Sequence, residues 1–129
     1  MKKALVSTLA VALALALAAC GAKAEDDLAY IEDKGTLVIG ITDYAPMNYY
    51  DENQVLVGFD TEFAEAVCAK LGLTPEFVII NWDTKETELK AKNLDCIWNG
   101  LTVTEERREN MAFSDSYLRN EQVVVVRAA

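Results

Sequence analysis

Residues 95–107 hold the densest set of side chains suited to binding a small charged molecule. Within them, Arg107 falls in the first turn of a short helix that Thr104 is expected to cap. A guanidinium offers planar donors that match a carboxylate two at a time, and a helix N-terminus also favours an anion. The spacing therefore predicts a carboxylate site at Arg107. One alternative stays open, in which Arg107 pairs with neighbouring Glu residues on the surface, as we expect of Arg108.

The loop before this helix and two aromatic residues extend the candidate site. Gly100 lets the backbone come close to a ligand, although a simple tight turn would also require glycine. Tyr44 and Trp82 could line a cleft, because aromatic rings supply apolar area with a polar edge. Either ring could instead belong to a partly buried core. Trp98 lies on a predicted strand, and we interpret it as core or hinge packing.

Catalysis and metal binding are not expected. The sequence contains no histidine, and no pair of carboxylates has a spacing that suggests acid–base chemistry. It also lacks a C-x-x-C pair, so we expect no metal and no cofactor. Cys68 and Cys96 could form a disulfide outside the cytoplasm or remain buried free thiols, and the sequence leaves both open.

Strands and helices alternate along the chain. Helices are expected at residues 28–33, from Asp60 to Leu71 with Phe63, Val67 and Leu71 on the apolar face, from Asp83 to about Ala91, and from Thr104 to about Asn110. Strands are expected at residues 36–41, 77–80, 94–99 and 122–126. This order predicts an α/β fold with a mainly parallel sheet and helices on both faces.

In such a sheet, ligands bind beyond the carboxyl ends of the strands. Residues 42–47 follow the first strand, Trp82 follows the second, and residues 99–102 follow the third. The predicted topology therefore places all three segments along one rim.

The N-terminus resembles a lipoprotein export signal. Lys2 and Lys3 precede an apolar run through Ala19, which is too short for a typical membrane span. The run ends in Leu17-Ala18-Ala19-Cys20-Gly21, which resembles the lipobox of bacterial lipoproteins. We therefore expect residues 1–19 to be a signal peptide, Cys20 to carry lipid and residues 20–27 to be a tether. A cleaved signal that leaves a free thiol, or an uncleaved anchor, remains an alternative.

The remaining chain is acidic. Loss of Lys2 and Lys3 leaves 10 of the 12 basic side chains against 21 acidic ones, a net charge of about −11. Like charges repel, so nucleic acid is not an expected partner, and contact with the membrane would come through the lipid on Cys20.

Four motifs together resemble the bacterial extracellular solute-binding proteins of family 3, the polar amino acid receptors. The motifs are residues 40–46 (GITDYAP), 57–60 (VGFD), 95–107 (DCIWNGLTVTEER) and 113–117 (FSDSY). The family pattern reads D-x-I, a small-residue loop, T-x-x-R and then F-S-x-x-Y. The resemblance runs from about Leu28 to Arg127 without a large gap.

This resemblance implies one lobe of a type II periplasmic-binding-protein clamshell, over residues 28–129. It implies that Arg107 grips the α-carboxylate of an amino acid and that Thr102 adds its backbone N–H. The Gly100 carbonyl and the Thr102 hydroxyl would meet the ammonium, beside Asn99 in the same loop. Tyr44 would pack on the ligand side chain, and Trp82 would form another wall. The implied partners are the amino acid and the permease of an ABC importer, with no enzymatic activity.

Two features depart from the family pattern. Met47 stands where many relatives carry phenylalanine, which alters the expected side-chain pocket. We also expect a second lobe, absent from these 129 residues, to close over the ligand, so the chain alone should show little or no measurable amino acid affinity, whereas a version joined to a relative's second lobe should bind. A sensor that does not transport, or a lobe associated with dehydratase- or lyase-like enzymes, is the alternative function.

Overall fold

The computed structural model describes residues 26–119, 121 and 123–128. In chain order its elements are α1 (Asp27–Lys34), β1 (Thr36–Ile41), β2 (Tyr49–Tyr50), β3 (Leu56–Val57), α2 (Phe59–Leu71), β4 (Thr74–Ile79), a 3-10 helix (Trp82–Thr84), α3 (Lys85–Lys90), β5 (Cys96–Ile97) and α4 (Glu105–Arg108). The chain divides into two units, residues 1–33 and 34–129. Of the first unit, the structure describes only residue 26 and most of α1.

A parallel sheet with the strand order β4-β1-β5 forms the centre of the second unit. β1 consists of branched apolar residues around Gly40, and its bounds match the predicted strand. It pairs with β4 along its whole length, from Thr36 opposite Thr74 to Ile41 opposite Ile79. Its other edge pairs with β5 at Ile39 and Gly40. The predicted α/β class with a parallel sheet is therefore confirmed.

The strand order places the helices on both faces of the sheet. The connection through α2 runs from β1 to one edge, and the connection through α3 returns past β1 to the other edge. Right-handed crossovers in opposite directions put their helices on opposite faces. The crossovers diverge between β1 and β5, which makes the carboxyl ends of these two strands the topological switch point.

The buried side of α2 differs from the predicted one. Ala64 and Cys68 are fully buried together with Asp60 and Thr61, whereas Phe63 and Leu71 are exposed. Small side chains let the helix backbone lie close to the sheet, so the stripe that contacts the sheet is the one with the smaller residues. The prediction of a helix was correct, but the assignment of its apolar face was wrong.

Gly58 fixes where α2 begins. Its φ is 127°, and a Cβ at this position would lie 2.3 Å from the Met47 carbonyl oxygen. Only glycine fits so close an approach. The Met47 carbonyl accepts a hydrogen bond from the Asp60 amide at 2.9 Å, which ties the loop after β1 to the first turn of the helix.

The turn after β4 is capped by a residue other than the predicted one. The side chain of Asn81, not that of Asp83, accepts the capping hydrogen bond, from the Asp83 amide at 3.0 Å. One 3-10 turn therefore precedes α3, which begins at Lys85. Asp83 has the spacing of a capping box with Glu86, but the helix begins two residues later, after Thr84, and has no side-chain cap there.

A small apolar core lies along β1. Ile39, Ile41, Leu73 and Leu94 are buried, and Gly40 leaves room for its neighbours. A Cβ at Gly40 would lie 2.7 Å from Cδ1 of Leu94. The glycine in this strand therefore allows Leu94, just before β5, to pack directly on the β1 backbone.

The segment expected to form the last strand does not pair in the structure. The described residues 123–126 have no strand conformation, and Val123, Val124, Val125 and Val126 are 75–90% exposed. An apolar run predicts a strand only where a neighbouring strand supplies hydrogen bonds, and none of the described strands lies beside it. Among the described residues, no helix is long and apolar enough to cross a membrane. The predicted signal peptide and Cys20 lie outside the described residues.

Candidate functional site

The carboxyl ends of β1 and β5 are joined side by side at the switch point. The Thr42 hydroxyl donates to Oδ1 of Asn99 at 2.5 Å, and Nδ2 of Asn99 donates to the Thr42 carbonyl at 3.1 Å. Asn99 is buried at 6% exposure, so both hydrogen bonds are shielded from water. This pair sets the start of the site loop, which we define as residues 99–102.

Asn48 connects the carboxyl end of β5 to α2. Its side chain is fully buried, donates to the Trp98 carbonyl at 3.0 Å and accepts from the Thr61 hydroxyl at 2.9 Å. A buried amide is stable only when its donors and acceptor are paired, and here two other segments provide the partners. The loop after β1, the end of β5 and the first turn of α2 are thereby held together.

Tyr44 and Gly100 come together across the rim. Gly100 has a φ of 61°, and a Cβ at this position would lie 3.9 Å from Cε1 of Tyr44. The Tyr44 side chain is 56% exposed, so its ring stands at the surface next to the glycine. An exposed aromatic ring therefore lies beside a backbone turn that has no side chain at Gly100.

Arg107 folds back onto the site loop. Its Nη1 donates to the Thr102 carbonyl at 2.7 Å, and its backbone N–H donates to Oγ1 of Thr104 at 3.3 Å, the predicted cap. Within the described part of the chain, no carboxylate forms a salt bridge with Arg107. Arg107 therefore does not pair with the described Glu residues near it, which was the alternative. Arg108 was expected to pair with Glu as well, but its guanidinium lies 5.8 Å from the centre of the Phe113 ring.

Trp82 is placed on the same rim but apart from these residues. It opens the 3-10 helix after β4, and Lys85 Nζ lies 4.9 Å from the centre of its ring while donating to its carbonyl at 3.0 Å. No aromatic or polar contact joins Trp82 to Tyr44 or Arg107 among the described residues. The structure thus brings together Tyr44, Asn99, Gly100, Thr102 and Arg107 and leaves Trp82 separate.

A buried carboxylate behind the site loop was not predicted. Asp60 is fully buried in the first turn of α2, and its Oδ1 accepts a hydrogen bond from the Tyr117 hydroxyl at 2.9 Å. The sequence analysis assigned Asp60 only to the helix start. The signal that could have indicated more was an acidic residue flanked by apolar ones on the side of the helix that faces the sheet.

Burial raises the pKa of the Asp60 carboxyl, while hydrogen bonding from Tyr117, the Gly100 backbone and the Trp98 side chain lowers it. Among the described residues, Oδ2 of Asp60 and Nε1 of Trp98 are nevertheless buried without a hydrogen bond of standard geometry. Burial, followed by the neighbouring Asp60, raises the pKa of the Tyr117 hydroxyl. The phenol therefore stays a donor at neutral pH.

Tyr117, the donor to this carboxylate, packs with three other rings, and we call Phe59, Phe63, Trp98 and Tyr117 the aromatic cluster. Phe63 packs edge-on against Trp98 at 5.3 Å and against Tyr117 at 5.4 Å between ring centres. Phe59 stacks on Tyr117 at 6.5 Å. These contacts give Trp98 the packing role that was predicted for it. They also explain why Phe63 turns away from the sheet that Ala64 contacts.

Other reactive groups lie away from the rim. Cys68 and Cys96 are free thiols, so the disulfide left open above is not formed, and burial raises the pKa of Cys96 to about 12. No cluster of metal-ligating side chains occurs among the described residues. A cavity of about 270 Å³ lies between the end of β4 and α3, lined in part by Asn81 and Glu88, and includes none of the predicted site residues.

Comparison with known proteins identifies the family. Residues 37–129 match the family model of bacterial extracellular solute-binding proteins, family 3, and the chain belongs to this family. It is 34% identical over 126 residues to the arginine-binding extracellular protein ArtP of Bacillus subtilis, covering 97% of this chain and 48% of that protein. The chain thus spans about half the length of the curated relatives it matches.

Solved structures agree with this assignment. A substrate-binding protein of an ABC uptake transporter from Streptococcus pneumoniae, with bound histidine, has a TM-score of 0.70 and 38% identity over 74% of this chain and 39% of its own. The arginine-bound domain 1 of TmArgBP, a Phe57Trp mutant in its own numbering, has a TM-score of 0.67 and 37% identity over 70% of this chain and 71% of its own. An ancestral amino-acid-binding protein described as a precursor of cyclohexadienyl dehydratase matches with a TM-score of 0.68 and 37% identity over 70% of this chain and 40% of its own. The fold is that of one lobe of a type II periplasmic binding protein.

Proposed function

We propose that this chain captures a polar amino acid outside the cytoplasmic membrane as the substrate-binding component of an ABC importer. The observation that carries the proposal is the hydrogen bonding and charge pairing of Arg107. Its guanidinium is held at the rim by the Thr102 carbonyl at 2.7 Å, and no described carboxylate pairs with it. A positioned guanidinium that pairs with none of the described carboxylates is suited to the carboxylate of a ligand.

The remaining site residues suit the other parts of an amino acid. The Gly100 carbonyl and the Thr102 hydroxyl would accept from the α-ammonium, and the Thr102 backbone N–H would donate to the carboxylate beside Arg107. The exposed ring of Tyr44, next to Gly100, would pack on the ligand side chain. Asn99 would act by fixing the loop through Thr42. Trp82 would form a more distant wall on the same rim.

One relative holds ligand on a single lobe, although we expected little or no measurable affinity for the present chain alone. The similar domain 1 of TmArgBP is an arginine-bound form of one domain, and it covers 70% of this chain. This likeness supports a ligand site built from the described residues alone. We still expect tighter binding when a second lobe is joined to the chain, because enclosure removes water from the ion pair at Arg107.

The location and the partners belong to the same proposal. Lipid on Cys20 would anchor the chain to the outer face of the cytoplasmic membrane, with residues 1–19 removed and residues 20–27 as a tether. The partner would be the permease of the importer. A purely enzymatic role is not favoured, because the site presents one cation, hydroxyl groups and backbone, without a carboxylate pair or a histidine to move protons.

Titration calorimetry with L-arginine, L-histidine and L-cystine tests the binding step, since relatives of these specificities match the chain. If one of these binds, its analogue without the α-carboxylate, agmatine in the case of L-arginine, should lose most of the affinity. Equal affinity for both molecules, or no binding of any polar amino acid by the chain or by the chain joined to a relative's second lobe, would contradict the proposal.

The transport role needs a separate measurement. Uptake of the bound amino acid into vesicles that contain the permease and ATPase of the same organism should depend on added chain. A chain that binds the amino acid but does not stimulate uptake would favour the alternative of a sensor lobe.

A further inference from the structure

The first turn of α2 carries a fully buried acidic side chain. Burying it costs free energy, which interactions in the fold or the site must offset. Asp60 has no exposed surface, while Glu62 in the same turn is exposed. Burying a carboxylate is unfavourable unless neighbouring donors are positioned toward it. The donors around Asp60 therefore indicate what the side chain holds in place.

The groups linked to Asp60 come from the segments on either side of Arg107. The Tyr117 hydroxyl belongs to the segment after α4 and donates to Oδ1 at 2.9 Å. The Tyr117 ring in turn lies 6.3 Å from the Trp98 ring, between centres, and Trp98 directly precedes the site loop. One carboxylate on α2 is thus linked, through Tyr117, to the segments that precede and follow the short helix of Arg107.

The helical turn that carries Asp60 is itself held in place by hydrogen bonds. Its backbone N–H donates to the Met47 carbonyl at 2.9 Å, and the adjacent Thr61 is bonded to the buried Asn48. Phe63 packs against both Trp98 and Tyr117, which fixes the ring that donates to the carboxylate and the ring that precedes the site loop. A side chain held in this way can set the position of the more exposed segments that are linked to it.

We infer that Asp60 is a positioning residue, which fixes the site loop and the Tyr117 segment around Arg107 so that the loop is ordered before ligand binds. The inference rests on the proposed function for its link to ligand binding. Asp60 itself would not touch the ligand. Its effect would come from reducing the motion that the site loop loses on binding.

The test compares Asp60→Asn and Tyr117→Phe with the control Glu62→Gln, which neutralises an exposed carboxylate in the same helical turn. Backbone order parameters from ¹⁵N relaxation are measured for residues 100–102 and for Ile39 and Ile41 in the core. In Asp60→Asn we expect the order parameters of residues 100–102 to fall from about 0.85 toward 0.6 or below, with the core values unchanged. Tyr117→Phe, which keeps the ring, should show a smaller fall, and Glu62→Gln none.

Affinity for L-arginine, measured by calorimetry, gives the second readout. We expect Asp60→Asn to weaken it by about tenfold, Tyr117→Phe by less, and Glu62→Gln not at all. Unchanged order parameters at residues 100–102, or a fall that spreads equally to Ile39 and Ile41, would overturn the inference. If Asp60→Asn does not fold, Tyr117→Phe decides it by the same comparison.

The two proposals fail in different ways. If neither the unmutated chain nor the chain joined to a second lobe binds L-arginine or another amino acid, the proposed function is contradicted, while the order parameters still decide whether Asp60 fixes the loop. If the chain binds an amino acid equally well with Asp60→Asn, the proposed function stands and the positioning role is wrong.

Discussion

Thr42 and Asn99 exchange two hydrogen bonds at the adjoining ends of β1 and β5, one from the Thr42 hydroxyl at 2.5 Å and one to the Thr42 carbonyl at 3.1 Å. They lie 57 positions apart in the sequence. The pair lies at the carboxyl ends of the two strands, where the crossovers diverge. It therefore joins the loop that carries Tyr44 to the loop that leads to Arg107. The geometry of the candidate site depends on these two hydrogen bonds.

Asn99→Ala should therefore destabilise the fold. The substitution removes both hydrogen bonds and leaves the half-buried Thr42 carbonyl without this donor, which should lower the free energy of unfolding by about 1–3 kcal/mol. Urea denaturation followed by circular dichroism measures the change. Asn53→Ala, at the exposed tip between β2 and β3, is the control and should stay within about 0.5 kcal/mol of the unmutated chain. Equal losses in both variants would show that the Thr42–Asn99 pair has no special role.

Arg107→Lys should weaken amino acid binding strongly. A lysine ammonium cannot reproduce a two-pronged contact with a carboxylate, so we expect a loss of roughly 10- to 150-fold in affinity, equivalent to a charge-assisted hydrogen bond. Calorimetry with the best ligand of the screen, on the chain joined to a second lobe, provides the measurement. Arg108→Lys keeps the charge next to it and should leave binding nearly unchanged, since the Arg108 guanidinium lies over the Phe113 ring. Similar effects at the two positions would exclude Arg107 as the carboxylate ligand.

The buried carboxyl of Asp60 should make stability depend on pH in a defined direction. Burial raises its pKa above the ordinary value of 3.8, so the folded chain binds more protons than the unfolded chain between those two pKa values. The contribution of Asp60 to the free energy of unfolding should then fall as pH rises through this window and level off above it. Asp60→Asn cannot titrate, so the stability of the unmutated chain minus that of the variant should decrease from pH 3.5 upward. A difference that increases with pH would mean that the hydrogen bonds from Tyr117 and Gly100 outweigh burial.

Cys20→Ser tests the proposed membrane anchor. The substitution removes the thiol that would receive the lipid, so the protein should move from the membrane fraction to the soluble exported fraction. Cell fractionation followed by immunoblotting measures the distribution. Cys68→Ser is the matched control, because Cys68 is buried in α2 and should not affect fractionation of the folded protein. If Cys20→Ser remains with the membranes as the unmutated chain does, the lipid anchor is wrong.

Local sequence determined the features that depend on a few neighbouring residues. The branched run of β1 predicted the strand at its observed bounds, and Thr104 predicted the cap that sets the start of the Arg107 helix. The family motifs led to the correct family and α/β fold, and the match covers residues 37–129. These signals are short in range, so the sequence was sufficient for them.

Tertiary structure decided the features that depend on which segments meet. The spacing of Phe63, Val67 and Leu71 suggested one apolar face for α2, but the sheet accepts the small side chains of Ala64 and Cys68. The valines of residues 123–126 have strand propensity and lack a paired neighbour among the described strands.

The contact between Asp60 and Tyr117 shows why the sequence alone was not enough. The sequence near Asp60 does not identify the partner of its carboxylate, because the hydrogen-bond donor lies 57 residues further along the chain. Helix starts and strand propensities follow from interactions within one or two turns of backbone. The partner of a buried charge follows only from the packing that brings distant segments together, and that packing exists only in the folded chain.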